Sequence, residues 1–131
     1  MKKIVADGAP KALGPYVSAV RTGNLIFCSG QTGINPETGR VEKTCVEGQT
    51  KQVMRNLKAV LESQGLTLQD IVKCNVYLSD MANFEKMNIV YGEMLEGHTP
   101  ARTTVAVAGL PLNALVEIEC IAELKWLLYS F

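Results

Sequence analysis

The sequence has few of the residues that build metal sites, and it lacks the common phosphate-binding motifs. It contains one histidine, His98, and four cysteines that lie far apart without a CxxC pair. Structural zinc sites use four such ligands at short spacings, so we expect no metal site. Neither a GxGxxG sequence nor a P-loop is present, which argues against a site for a dinucleotide or a nucleoside triphosphate.

An excess of charge of one sign is also missing. Thirteen basic residues balance thirteen acidic ones, and the sequence pI is about 6.6. Without a concentrated basic field to attract phosphates, nucleic-acid binding is not expected. No apolar run reaches the roughly 18 residues of a membrane span, and the first residues lack the apolar block of a secretory signal. We therefore expect a cytoplasmic protein that makes no contact with a membrane.

The sequence has enough apolar residues for one core. Its 131 residues are 47% hydrophobic and show no repeat or linker, so a single domain over 1–131 is predicted. Cys28, Cys74 and Cys120 lie in apolar segments typical of strands, which favours reduced core thiols over catalytic ones. Residues 125–131 form an apolar extension for which three fates stay open: packing on an oligomer surface, an extra contact, or exposure to solvent.

The spacing of apolar residues predicts an α+β fold, with both helices on one face of a mixed sheet. A capping box formed by Thr44 and Glu47 marks the start of the first helix, and Gly65 marks its end. The last two strands are expected to form an antiparallel pair. The predicted strands are 2–6, 16–21, 25–29, 71–78, 101–108 and 115–124, and the second helix covers 80–96.

Polar residues fall at positions that call for an explanation. If the apolar rows of the last two strands meet the helices, Arg102 and Thr104 share the second face of the sheet with Glu117 and Glu119. Such a face fits either plain solvation or an oligomer interface around a polar pocket. Arg102 could be a structural ion-pair partner or a guanidinium that holds a carboxylate ligand. Asn88 lies on the apolar stripe of the second helix, where its amide needs a partner.

Four short motifs in this chain resemble those of the RidA family of enamine/imine deaminases. They are GPY at 14–16, SGQ at 29–31, PARTTV at 100–105 and VEIE at 116–119. Their order and spacing are preserved, and the likeness extends from about residue 2 to residue 122. The resemblance implies a chorismate-mutase-like fold, in which a six-stranded mixed sheet carries two helices on one face. It also implies a homotrimer with a central barrel and ligand clefts between neighbouring subunits.

The implied activity is that of a 2-iminobutanoate/2-iminopropanoate deaminase. Such an enzyme hydrolyses reactive enamines and imines of the 2-aminoacrylate type to 2-oxo acids and ammonia, without a cofactor. By resemblance, Arg102 anchors the substrate carboxylate and Glu117 acts on the attacking water. Four further residues line the cleft in this interpretation: Tyr16, Gly30, Asn88 and Thr104.

Other interpretations stay open at this point. A non-catalytic trimer that binds or senses 2-oxo acids would need Arg102 but not Glu117, and a ribonuclease acting on mRNA is a more distant alternative. Glu119 is expected to be an interface ion-pair partner, and His98 a surface loop residue. Many relatives carry cysteine where this chain has Thr104, so any thiol-dependent regulation known in the family is not expected to carry over.

Overall fold

The computed structural model describes residues 1–125 and confirms two helices on one face of a six-stranded mixed sheet. Of the apolar extension predicted over 125–131, all but residue 125 lies outside the described residues. Neither helix within 1–125 combines the length and apolar character needed to cross a bilayer. The elements are β1 (Lys2–Ile4), β2 (Ala19–Thr22), β3 (Leu25–Gln31), β4 (Ile34–Asn35), β5 (Arg40–Val41), α1 (Val46–Glu62), β6 (Ile71–Leu78), α2 (Phe84–Leu95), β7 (Ala101–Ala106) and β8 (Val116–Glu123).

The order of strands in the main sheet is β1-β2-β3-β8-β6-β7. The predicted antiparallel pairing of the last two strands is therefore wrong. β8 lies between β3 and β6 and is antiparallel to both, whereas β7 is parallel to β6 at the edge of the sheet. The prediction relied on closeness in sequence. Helix α2 instead supplies the crossover that parallel neighbours require, and the apolar row of β8 fits the centre of the sheet.

Helix α1 begins one residue later than the capping-box prediction. The N-cap is Cys45, whose Sγ accepts a hydrogen bond from the backbone N–H of Gly48 at 3.4 Å, so Thr44 does not cap the helix. The chain turns after the helix at Gly65, where φ is +75°, a conformation that favours glycine. The predicted end of the helix region is thus confirmed. Its first turn is capped by the sulfur of Cys45, a weaker hydrogen-bond acceptor than the hydroxyl oxygen predicted for this role.

The core lies between the two helices and the sheet, and it contains three thiols in one row. Cys120 on β8 is paired in register with Cys28 on β3 and with Cys74 on β6. All three are free and buried. Burial raises the pKa of Cys74, and the hydrogen bond with Cys28 together with burial raises that of Cys120. Thiols of this kind stay protonated and unreactive, as the interpretation as core cysteines predicts.

Two buried amides of α1 fasten the loops that surround the sheet. Asn56 donates hydrogen bonds from Nδ2 to the carbonyl oxygens of Thr32 and Ile34, at 3.2 and 2.8 Å. Gln49 accepts the N–H of Leu115 at 2.8 Å, immediately before β8. Because buried amides hold their partners strongly, the end of β3 and the start of β8 are fixed relative to α1.

The Asn56→Ala substitution tests this fastening. It leaves the carbonyl groups of Thr32 and Ile34 without their buried donor, so we expect the free energy of unfolding to fall by about 1–3 kcal/mol. Urea denaturation at fixed protein concentration measures the change. Gln52→Ala is the matched control, because Gln52 is only partly buried and donates to Asn56 rather than to the loop. Equal losses in both variants would contradict the assigned role.

Candidate functional site

The guanidinium of Arg102 lies on the helix side of the sheet. Arg102 is on the edge strand β7, in register with the buried Cys74 of β6. Its guanidinium carbon is 4.9 Å from the centre of the Tyr91 ring and 5.6 Å from that of Phe84, and both rings belong to α2. Among residues 1–125 no carboxylate forms an ion pair with it. The structural ion-pair interpretation of Arg102 therefore fails within the described chain.

A cleft of about 360 Å³ opens beside this guanidinium. Asn88 of α2 lines it, and the Oδ1 atom of Asn88 is buried without a hydrogen-bond partner in the described part of the chain. Thr104 lies two residues beyond Arg102 on the same face of β7, and its buried Oγ1 also lacks a partner there. The cleft-lining residues are Asn88, Tyr91, Gly92, Leu95, His98, Thr99, Pro100 and Arg102.

A second group of predicted site residues meets around Glu117 of β8. A Cβ atom at Gly30 would lie 3.2 Å from Cγ and 3.0 Å from Cδ of Glu117, and closer still to the carboxylate. The side chain of Glu117 thus occupies the space that any other residue at position 30 would fill. Tyr16 lines the same pocket, together with Ser18, Gln31 and the apolar residues Ala12, Leu13, Ile34 and Pro111.

Tyr16 does not lie in a strand, contrary to the prediction for 16–21. β2 begins only at Ala19, and the Tyr16 hydroxyl accepts a hydrogen bond from the Leu13 N–H at 3.1 Å. The preceding Gly14-Pro15 bends the chain, since proline donates no backbone hydrogen bond to a ladder. The ring is half exposed and belongs to a loop that forms the wall of the Glu117 pocket.

The surroundings of Glu117 favour the protonated form of its carboxyl group. Burial, and then the negative charge of Glu119, raise its pKa above the ordinary value. Glu119 is held in place, because its Oε1 accepts hydrogen bonds from the Tyr77 hydroxyl at 2.5 Å and from Asn75 Nδ2 at 3.2 Å. Within residues 1–125 the partners of Glu119 are thus neutral, and its predicted ion pair across an interface stays a prediction.

The two groups of residues lie on opposite faces of the sheet, which corrects the predicted sharing of one face. Arg102 and Thr104 are in register with Cys74 and Val76, which face the helices, whereas Glu117 is in register with Tyr77 on the other face. The prediction placed the apolar residues of β7 against the core. β7 is an edge strand, however, and the aromatic rings of α2 provide a surface that accepts a guanidinium. One chain thus carries two separate groups of candidate site residues: the Arg102 half-site, with Asn88 and Thr104, and the Glu117 half-site, with Tyr16 and Gly30.

Three residues of the Arg102 half-site were not identified from the sequence. Phe84 and Tyr91 were assigned to the apolar stripe of the second helix; their spacing of seven puts them on one helical face, and nothing in one sequence places Arg102 opposite them. His98 was expected in a surface loop. It is partly buried, and its Nε2 lies 2.7 Å from the carbonyl oxygen of Ile71, which fixes the loop at the mouth of the cleft.

The sequence model of the family described as Endoribonuclease L-PSP matches residues 6–124. The chain belongs to the RidA family, which is also called the YjgF or L-PSP family. It is 46% identical over 123 residues to a RutC family protein of Pyrococcus horikoshii, covering 93% of this chain and 98% of that protein. It is 44% identical over 124 residues to the chloroplastic Reactive Intermediate Deaminase A of Arabidopsis thaliana, covering 94% of this chain and 66% of that protein.

Solved structures of this RidA family share the fold. The crystal structure of RidA from a Psychrobacter species superposes with a TM-score of 0.91 at 41% identity, covering 95% of this chain and 100% of that one. The crystal structure of Escherichia coli TdcF with bound serine superposes with a TM-score of 0.89 at 37% identity, covering 94% and 98%. The family predicted from four short motifs is therefore confirmed, as is the arrangement of sheet and helices.

The raised pKa of Glu117 can be tested without any assay of activity. The charge of Glu119 favours the protonated form of Glu117, so Glu119→Gln should lower the pKa of Glu117. The Glu117 carboxyl carbon can be titrated by NMR in the wild type and in the variant. Glu123→Gln is the control, because Glu123 is exposed on the same strand and is not among the causes of the shift. An unchanged Glu117 titration in Glu119→Gln would contradict this electrostatic coupling.

Proposed function

We propose that the protein is a cofactor-independent enamine/imine deaminase. It hydrolyses small 2-imino acids, such as 2-iminobutanoate and 2-iminopropanoate, and the enamines in equilibrium with them. The observation that carries this proposal is the pair of half-sites: a guanidinium without an ion-pair partner among residues 1–125 and a carboxyl group with a raised pKa. These are the two groups that a carboxylate-bearing imine needs for anchoring and for the attack of water.

Arg102 holds the substrate carboxylate in this proposal. A guanidinium presents parallel N–H donors that match the two oxygens of a carboxylate, and such charge-assisted pairs are stronger than neutral hydrogen bonds. Anchoring the carboxylate fixes the adjacent C=N carbon. Because imines already hydrolyse in water, positioning of this carbon beside an attacking water gives much of the acceleration required.

Glu117 acts on that water. A pKa raised by burial brings the carboxyl group closer to neutral pH, where it exchanges protons more readily than an ordinary glutamate. It takes a proton as the water oxygen bonds to the imine carbon. It gives that proton to the imine nitrogen, which produces a carbinolamine, and it then relays the hydroxyl proton of the carbinolamine to nitrogen as the carbon–nitrogen bond breaks. The products are the 2-oxo acid and ammonia, and Glu117 ends in its starting state.

The two half-sites act together when copies of the chain assemble. A small molecule cannot touch groups on both faces of one sheet, so a neighbouring copy has to bring its Glu117 to Arg102. The sheet face that carries Glu117 also exposes apolar side chains: Phe27 and Val105 are 42% and 41% exposed. We propose a homotrimer, in which these faces enclose a central barrel and a cleft lies at each of the three boundaries.

The relatives support the same chemistry. The Arabidopsis protein is named a reactive intermediate deaminase, and the structure of TdcF contains serine, a small molecule with a carboxylate and an adjacent nitrogen. A trimer that only binds 2-oxo acids is the second candidate, since the Arg102 half-site would suffice for it. The ribonuclease activity suggested by the family's description ranks lower, because the one histidine contacts a backbone carbonyl oxygen and no basic-aromatic platform forms within residues 1–125.

Substitutions of Arg102 test the anchoring role. The assay measures release of ammonia and 2-oxo acid from freshly generated 2-aminoacrylate. Arg102→Ala should lose most of the activity, at least about a hundredfold in kcat/KM, because an ion-paired anchor is removed. Arg102→Lys should recover little, since a point charge lacks the planar fork. Wild-type turnover in the lysine variant would contradict bidentate anchoring, and a wild type no faster than buffer would favour the binding function.

Mixing of two inactive variants tests the shared cleft. Arg102→Ala and Glu117→Gln protomers are unfolded together, refolded at equal amounts and assayed. In a cyclic trimer, every mixed assembly has one boundary with both native residues, so about one quarter of wild-type activity should return. Each variant refolded alone is the control. Activity no higher than that of the separate variants would mean that the two residues do not meet between chains.

A further inference from the structure

Few contacts with neighbouring strands fix the direction of the Arg102 side chain. It projects from β7, the edge strand of the sheet in the described residues, and no ion pair holds it there. Arginine has many rotamers, and ligand binding is weakened when a side chain must be ordered first. An anchor that binds a small carboxylate tightly therefore needs another element to fix its direction.

Two aromatic rings of α2 meet this need. Phe84 and Tyr91 are seven residues apart, two turns of the helix, so their side chains lie on the same face. The guanidinium carbon of Arg102 lies over both rings, at 5.6 and 4.9 Å from their centres. These distances are within the range in which a cation is attracted by an aromatic face.

Neither an ion pair nor a hydrogen bond occupies the N–H groups of Arg102 within residues 1–125. A ring contacts the flat face of a guanidinium, whereas its N–H groups point outward in the plane. A carboxylate partner would bind these N–H groups and compete with a ligand for them. Aromatic rings do not accept these hydrogen bonds in the same way, so they leave the N–H groups to the ligand. We propose that Phe84 and Tyr91 are positioning residues, which orient the guanidinium of Arg102 for a carboxylate ligand. This inference rests on the proposed function of Arg102 and names the residues that prepare it.

The Tyr91 hydroxyl plays no part in the proposed positioning. Tyr91 is 7% exposed, and burial raises the pKa of its hydroxyl, which therefore stays neutral across the physiological range. The hydroxyl oxygen forms no hydrogen bond within residues 1–125, so Arg102 is contacted by the ring and not by the hydroxyl. The ring without its hydroxyl should accordingly serve as well, which separates this role from one in acid–base catalysis.

The test compares four variants by calorimetric titration with 2-oxobutanoate, the 2-oxo acid that the proposed hydrolysis of 2-iminobutanoate releases. Phe84→Leu and Tyr91→Leu keep apolar bulk but remove one ring each, and each should raise the dissociation constant about tenfold. Tyr91→Phe should restore the affinity lost in Tyr91→Leu. Ile89→Ala is the control on the same helix, because Ile89 is 62% exposed and does not line the cleft beside Arg102. Thermal melting and gel filtration check folding and assembly.

A second measurement reports directly on Arg102. In the wild type, ¹⁵N relaxation of its Nε–H group should show an ordered side chain before any ligand is added, and Phe84→Leu should increase its motion. In the hydrolysis assay, both leucine variants should raise KM much more than they lower kcat, because the contact serves binding in ground state and transition state alike. If the rings had only a structural role, the leucine variants would lower thermal stability without raising KM more than they lower kcat.

The outcomes distinguish the inference from the proposed function. If the wild type does not hydrolyse 2-aminoacrylate but its binding of 2-oxobutanoate depends on both rings, the deaminase proposal fails and the positioning role stands. If the wild type hydrolyses it while both leucine variants keep the wild-type dissociation constant and Nε order, the positioning role is overturned and the deaminase proposal stands. Loss of affinity in Tyr91→Phe equal to that in Tyr91→Leu would also overturn it, because the hydroxyl would then be the important group.

Discussion

The alternation of side chains across one sheet is the constraint on which the arrangement of this site depends. Arg102 and Glu117 lie on strands separated only by β6, yet their register places them on opposite faces. The guanidinium is thereby kept away from the carboxylate of its own chain. Two opposite charges that could have neutralised each other both remain available. One chain therefore holds the two groups apart, which is why the proposed reaction calls for a second copy of the chain.

Each half-site is supported by a different kind of contact. On the Glu117 side, the buried amide of Asn56 holds the loop after β3, and Gly30 leaves space for the carboxylate. Hydrogen bonds and close packing determine the geometry there. On the Arg102 side, two rings of α2 provide a flat surface without competing acceptors. The first arrangement favours a carboxyl group with a raised pKa, and the second places a guanidinium beside an open cleft.

Much of the fold and of the residue set could be predicted from the sequence. Apolar periodicity is a local property, so it revealed both helices and the central strands, and four motifs identified the family. The order of the strands could not be predicted in the same way. Whether β8 pairs with β7 or enters between β3 and β6 depends on contacts between distant residues. The face taken by Arg102 follows from that order, so the same uncertainty led to the wrong placement. The predicted N-cap of α1 was Thr44, and the observed one is Cys45. The two residues are adjacent and each side chain carries a hydrogen-bond acceptor, so the sequence alone did not distinguish them.

The distribution of the thiols has a practical consequence. Three of the four cysteines are buried in the core. Cys45, at the N-cap of α1, is the exposed thiol, and it lines neither half-site. A maleimide fluorophore applied to the folded native chain would therefore attach at one known position. Assembly between copies could then be followed by energy transfer without introducing or removing any residue.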